Sequence, residues 1–177
     1  MICYFSSSFM EDLLMKLSQY AVLVSLLMGL TSVSFASSYN PNQLAQFNST
    51  NQCDTCDLSG AVISGNQNHS NAVLTNSNLT GAVVSGTFAY ANFGGSNLSG
   101  SDWSNANLSN ASLTYIPVIK SNFTNANLTF AKFDGAVTAD AVFDHANLYG
   151  SNITQQQLDN AASYCWAILP DGTRKNC

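Results

Sequence analysis

The chain has 177 residues, a length that fits a single domain. Charged residues make up only 8% of it and the formal net charge is −5, which excludes a basic nucleic-acid-binding protein on electrostatic grounds. Asn and Ser replace charged residues as the main polar side chains.

Residues 1–36 have the features of a secretory signal peptide. Lys16 supplies a short basic region, an apolar run follows over residues 21–30, and residues 34–36 form a small-x-small cleavage site. The apolar run is short for a bilayer span, so we expect cleavage after Ala36 rather than a stable membrane anchor. The mature protein is therefore predicted to be periplasmic or secreted.

The start of the open reading frame departs from this pattern. Glu11 and Asp12 stand where a signal peptide carries basic residues. We therefore expect translation to begin at Met15.

Residues 37–57 are predicted to form an N-terminal cap. Asn40 and Pro41 suit the N-cap and first position of a helix, and Leu44 and Phe47 would share one face of it. A solenoid needs such a cap, because its first coil otherwise exposes apolar core and strand edges.

A period of five residues dominates positions 58–155. In this stretch we count twenty pentapeptides, with one residue inserted before Leu74 and one deleted before Phe88. The central residue is large and apolar in nearly every repeat, the exceptions being Asn68 and Thr138, and the position two earlier is usually Ala, Ser or Gly. A period of five fits neither a helix nor an ordinary strand, and it indicates a repeat architecture.

These repeats resemble the A-(D/N)-L-x-x signature of the pentapeptide-repeat family. The Cys-Asp-Thr-Cys-Asp-Leu-Ser-Gly segment from Cys53, and the tail with its Gln-Leu-Asp and Leu-Pro-Asp-Gly segments, are also similar to that family. The resemblance implies an all-β solenoid, a right-handed quadrilateral parallel β-helix of about five coils with short helical caps at both ends. Residues 156–177 would form the C-terminal cap, in a helix that a capping box at Thr154 opens and that runs to about Ser163.

Stacking the repeats twenty residues apart aligns large side chains into columns. Trp103, Phe123 and Phe143 are expected to form one core ladder, and Asn107 and Asn127 belong to a polar column that would exchange hydrogen bonds between coils.

After signal cleavage, four cysteines remain, namely Cys53, Cys56, Cys165 and Cys177. In a five-coil solenoid the two pairs would lie on the order of 20 Å apart, too far to share one zinc ion. A redox dithiol would need a thioredoxin-like context, which the sequence lacks. An exported chain then favours two local disulfides, one at each end.

No catalytic constellation is evident in the sequence. His69 and His145 both fall at outward positions of the predicted register, and no nucleotide-binding glycine loop or paired carboxylates stand out. We expect no enzyme activity, no metal and no cofactor.

One segment breaks the polar pattern of the surface. The repeat at residues 116–120 carries a large residue two positions before its centre, and its outward positions are apolar. With neighbouring repeats this predicts an apolar patch that would contact a partner. The residues of this patch are Tyr115, Pro117, Ile119, Val137 and Ala139.

The sequence thus predicts a non-enzymatic exported scaffold that binds another protein or itself, or has a structural role. Two alternatives stay open: a DNA-mimic inhibitor of a DNA-binding enzyme, and a polar face that binds glycan or ice. DNA mimicry fits poorly, since a duplex of this length carries about fourteen charges. The repeats offer only Asp57, Asp102, Asp134, Asp140 and Asp144, partly offset by Lys120 and Lys132.

Overall fold

A computed structural model describes residues 39–65 and 67–177. The predicted signal peptide, its cleavage site and the alternative start at Met15 lie outside the described residues. No helix in the described part of the chain is long and apolar enough to span a membrane.

The chain winds into a solenoid whose coils pair in parallel. Val83 pairs with Asp102, Thr87 with Asn107 and Asp57 with Asn78, so successive coils are offset by 19, 20 or 21 residues. This is the pairing that a five-residue repeat with four repeats per coil predicts.

Each coil has four short faces, which we name by the central residues that fill the core behind them. Face A contains Phe93, Leu113 and Phe133; face B contains Leu98, Val118 and Thr138; face C contains Trp103, Phe123 and Phe143; face D contains Leu108, Leu128 and Leu148. All twelve side chains are buried.

Regular secondary structure is brief in the described residues. Helix α1 spans Pro41–Thr50, strands β1 and β2 span Val62–Ile63 and Val83–Val84, and helix α2 spans Gln155–Asp159. Elsewhere the coils are joined by isolated parallel bridges, because the chain turns a corner in every pentapeptide. The residue at each corner has a positive φ, a conformation that Gly and Asn adopt at little cost.

One pentapeptide shows how the backbone N–H groups are satisfied. The Asn107 N–H bonds to the previous coil, and those of Leu108 and Asn110 bond to the next coil. The Ser109 N–H donates to the Asn107 side chain at 3.1 Å, and the Ala111 N–H closes the corner onto the Leu108 carbonyl. An Asn or Asp before the centre therefore caps a corner N–H that neither neighbouring coil can reach.

Aromatic rings fill much of the interior along face C. The Phe123 and Phe143 rings stack with centroids 5.2 Å apart and an interplanar angle of 6°. Trp103 lies one coil earlier, and its indole N–H donates to the Ser101 hydroxyl at 2.7 Å, so its one polar group is satisfied in the core.

The prediction for residues 66–70 is wrong in its register. Asn68 was expected at the centre and His69 on the surface, but Asn68 is exposed and His69 is only 1% exposed. The extra residue lies before His69 rather than after it, because His69 follows Ile63 by six positions and precedes Leu74 by five. His145 is exposed at a corner, as expected.

The C-terminal helix is shorter than predicted. Its capping box is present, with the Thr154 and Gln157 side chains bonding reciprocally, but α2 ends at Asp159 rather than near Ser163. Ser163 instead pairs in parallel with Val142, so the chain returns to face C after α2.

Candidate functional site

Tyr115 and Val137 are the most exposed members of the predicted apolar patch. Tyr115 is 79% exposed and Val137 is 49% exposed, whereas Pro117, Ile119 and Ala139 are half-buried. Pro117 and Val137 are bridge partners on successive coils, so these residues occupy adjoining positions on face B and its corner.

The Tyr115 ring lies against Gly135 of the next coil. Tyr115 sits at a corner with φ +56°, and the corner below it is Gly135. A Cβ atom at position 135 would collide with the Tyr115 ring, so the absence of a side chain there lets the ring rest against the backbone.

Face B ends differently from the other faces, because α2 takes the place of its last pentapeptide. The Gln157 side-chain amide donates to the main-chain oxygens of Phe133 at 2.7 Å and Ala136 at 2.9 Å. The Thr138 hydroxyl donates to the Gln157 carbonyl at 2.6 Å, and the Asp140 N–H donates to the Asn160 carbonyl at 3.0 Å. These four bonds hold α2 against face B.

A groove of about 560 Å³ lies between face B and α2. Three residues of the predicted patch line it, namely Tyr115, Val137 and Ala139, while Pro117 and Ile119 lie outside it. The patch and the groove therefore form one continuous surface, which we call the face B groove.

The face B groove combines apolar side chains with neutral amides. Gln156, Asn160 and Asn152 line it beside Tyr115, and the charged side chain among its lining residues is Asp134. Amides can both donate and accept hydrogen bonds, so this surface suits a partner with peptide groups and apolar side chains.

The residues that line the face B groove include no His, Cys, Lys or Glu. Among residues 39–65 and 67–177, no group of three or more His, Cys, Asp or Glu side chains could hold a metal ion.

Two disulfides lie at opposite ends of the described chain. Cys53 and Cys56 are joined beside α1, with both side chains buried, and Cys165 is joined to Cys177. The second disulfide closes a segment in which Ile168 pairs antiparallel with Arg174.

In the sequence, Thr138 stands out only as a central residue that is not large and apolar, and its part in the groove was not predicted. Its hydroxyl is needed where a helix follows instead of another coil, because the Gln157 carbonyl of that helix accepts its hydrogen bond. Ile116 is fully buried two positions before Val118, and we attribute its unusual size to the smaller centres Val118 and Thr138 in this column.

The sequence matches the family model described as pentapeptide repeats. Eight copies of the repeat are matched, over residues 88–116 and 121–155. No curated protein matches the chain.

Solved structures of pentapeptide repeat proteins are similar to this chain. One, from the thylakoid lumen of Arabidopsis thaliana, is 24% identical with a TM-score of 0.49, over 62% of this chain and 73% of that one. A second, Rfr23 from the cyanobacterium Cyanothece 51142, is 21% identical with a TM-score of 0.40, over 72% and 97%. A third, HetL from Nostoc sp. strain PCC 7120, is involved in heterocyst differentiation regulation. It is 25% identical with a TM-score of 0.32, over 70% and 65%.

Proposed function

We propose, from the premise that this chain belongs to the pentapeptide-repeat family, that it is an exported scaffold without enzyme activity that binds another protein through the face B groove. The observation that carries the proposal is the coincidence of the groove with the exposed residues Tyr115 and Val137. In the other coils, the outward positions of face B are mostly Asn, Ser and Thr, as at Asn97.

The proposal includes a helical cap at each end of the repeats. We propose that the repeats make about five coils, that α1 covers the first coil and that α2 covers the last part of face B. A scaffold with both ends covered resists end-to-end aggregation and leaves its faces free for a partner.

Export is supported by the cysteines. Disulfides persist in oxidising compartments, and each end of the described chain carries one. Intact mass of the protein from its native cell fraction tests this: a chain beginning at Ser37, with four thiols blocked until reduction, supports export. An uncleaved chain with free thiols contradicts it and favours the intracellular DNA-mimic class instead.

Binding is tested by site-specific photo-crosslinking in the native compartment. A photo-crosslinking amino acid at position 137 should capture one defined protein, while the same group at position 83 should not. Val83 is a matched control, because it occupies the same position in its pentapeptide on face C and is 47% exposed against 49% for Val137. Equal capture from both positions would contradict a specific groove.

The captured protein then allows an affinity measurement. Val137→Asp should weaken its binding at least tenfold, because it introduces a charge into an apolar contact beside Asp134, and Val83→Asp should change binding less than twofold. Capture of a second copy of the chain would identify self-association as the function of the groove.

A further inference from the structure

His69 is a titratable residue in the core of the N-terminal end, far along the chain from the face B groove. Its ring contacts two phenyl rings, with its centroid 4.7 Å from that of Phe47 and 4.9 Å from that of Phe88, and these two phenyl rings also stack on each other with centroids 6.3 Å apart. Phe47 belongs to α1 and Phe88 to face D. Phe47, His69 and Phe88 thus form one aromatic cluster through which the N-terminal helix contacts the core of the repeats.

Asn51 determines which nitrogen of the imidazole carries the proton. The Asn51 side-chain amide donates to the Asn68 carbonyl at 3.4 Å, which leaves its oxygen to accept from His69 Nδ1 at 2.5 Å. With the proton on Nδ1, the other nitrogen, Nε2, has a free lone pair. Nε2 is buried and has no hydrogen-bond partner among the described residues.

The attachment of α1 to the repeats depends heavily on this stack. Phe47 is the one residue of α1 that is buried. Leu44 is half-buried and also packs against the core, and hydrogen bonds at the periphery run from the Asn40 N–H to the Asp57 carbonyl at 2.9 Å and from the Asp57 N–H to the Gln43 side chain at 2.8 Å. Withdrawal of Phe47 from this cluster would therefore leave α1 held by the half-buried Leu44 and by solvent-accessible hydrogen bonds.

We propose that α1 is an acid-released latch: it covers the first coil at neutral pH and detaches when His69 takes up a second proton in mildly acidic surroundings. Detachment would expose the Phe88 ring and the apolar end of the coil. This inference concerns the end of the solenoid opposite the face B groove and does not rest on the proposed function.

Within the part of the chain that the structure describes, no hydrogen bond links the His69 ring to a charged group. Helix α1 contains no ionisable residue, and the ring contacts and the side-chain hydrogen bond of His69 are to the neutral side chains of Phe47, Phe88 and Asn51. Asp54 and Asp57 precede this segment, but the Asp54 carboxylate bonds to Thr75 and Asn76 and the Asp57 carboxylate bonds to Ser59. The neighbouring aromatic rings attract an imidazolium, but they supply no acceptor for an Nε2 proton.

The direction of the pH effect follows from linkage. Burial lowers the pKa of His69 from its ordinary value of about 6.5. The closed state therefore binds fewer protons than an open state with hydrated His69, so closure is most favoured above about pH 6.5. As the pH falls from there towards the lowered pKa, the ratio of open to closed protein should rise by up to about tenfold per pH unit.

Hydrogen exchange of α1 amides tests the latch in the intact, disulfide-bonded protein. After correction for intrinsic rates, the exchange protection of residues 44–51 should fall by up to about tenfold from pH 7.5 to pH 5.5. His69→Phe keeps an aromatic ring in the stack and cannot titrate, so its protection should not change with pH. His145→Gln removes the exposed histidine and should behave as the unmodified protein does.

Two results would overturn the proposal: protection of α1 that is independent of pH in the unmodified protein, or pH dependence that persists in His69→Phe. Should that variant fail to fold, NMR titration of the unmodified protein is decisive. The His69 ring should titrate below about 6.5, and in Phe47→Ala its pKa should move back towards that value. Titration of His69 at or above 6.5 in the unmodified protein would also refute the latch.

Discussion

The Thr138 hydroxyl donates a hydrogen bond to the Gln157 carbonyl at 2.6 Å, across the junction where helix α2 replaces a repeat. Thr138 is 2% exposed and fills the central position of face B, a position that holds an apolar side chain in the repeats before it. One hydroxyl therefore fills the core and also anchors the helix that forms one wall of the face B groove.

Thr138→Val should lower the free energy of unfolding by about 1–2 kcal/mol. Valine has nearly the same shape, so the loss comes from one buried hydrogen bond and an unpaired carbonyl at Gln157. Chemical denaturation measures it, and hydrogen exchange should show faster exchange in residues 155–160. Thr80→Val is the control, because the Thr80 hydroxyl is exposed and bonds within its own repeat. Equal effects of the two substitutions would contradict the anchor.

Most of the repeat solenoid could be predicted from the sequence, because each pentapeptide follows the same side-chain pattern. A large centre fills the core, a small residue two positions earlier leaves room for it, and an Asn or Asp before the centre caps the corner N–H. When every repeat obeys the same rule, the register of one fixes the register of its neighbours.

The predicted register is wrong at His69 because the pentapeptide around it contains no apolar central residue. Counting forward by five from Ile63 reaches Asn68, whereas counting back by five from Leu74 reaches His69. The sequence held no local reason to prefer the second count. The deciding factors are tertiary: the Phe47 and Phe88 rings that contact His69, and the Asn51 oxygen that accepts from it.

The face B groove could be predicted only in part. Tyr115 and Val137 were identified as apolar residues on a polar surface, which is visible in the sequence. The groove itself depends on α2 ending early and on Gln157 bonding to the Phe133 and Ala136 carbonyls. Such contacts join segments about twenty residues apart, and periodicity alone does not predict them.

Phe123→Ala should destabilise the protein by about 3–5 kcal/mol. The ring is fully buried and stacked on Phe143, so its removal leaves a cavity that close neighbours cannot fill. Phe130→Ala is the matched control: its ring is 52% exposed at a corner, and its loss should cost about 1 kcal/mol. Thermal unfolding of both variants measures the difference, and an unchanged melting temperature for Phe123→Ala would refute the placement of this ring in the core.

Gly86→Ala should cost about 2–3 kcal/mol, since the backbone there is unsuited to a side chain. Gly86 has φ +107°, and a Cβ at this position would lie 2.9 Å from the Gln67 carbonyl oxygen. Gly81→Ala is the control, because Gly81 has φ +67° with nothing within 4 Å of its added Cβ, so about 1 kcal/mol is expected. Denaturant titration compares the two variants. Equal losses would show that the close approach of position 86 to the Gln67 carbonyl is unimportant.

Removal of the C-terminal disulfide by the double substitution Cys165→Ser and Cys177→Ser should cost about 3 kcal/mol, because the bond closes a loop with a sequence separation of 12. The loss should appear as local opening, because terminal segments of a solenoid contact only one neighbouring coil. Hydrogen exchange should therefore quicken in residues 163–177 and stay unchanged around α1. Replacing Cys53 and Cys56 with Ala should instead quicken hydrogen exchange around α1 and leave residues 163–177 unchanged. If exchange quickened along the whole chain in both variants, the two ends would be unfolding together with the repeats, and the disulfides would not act as local constraints.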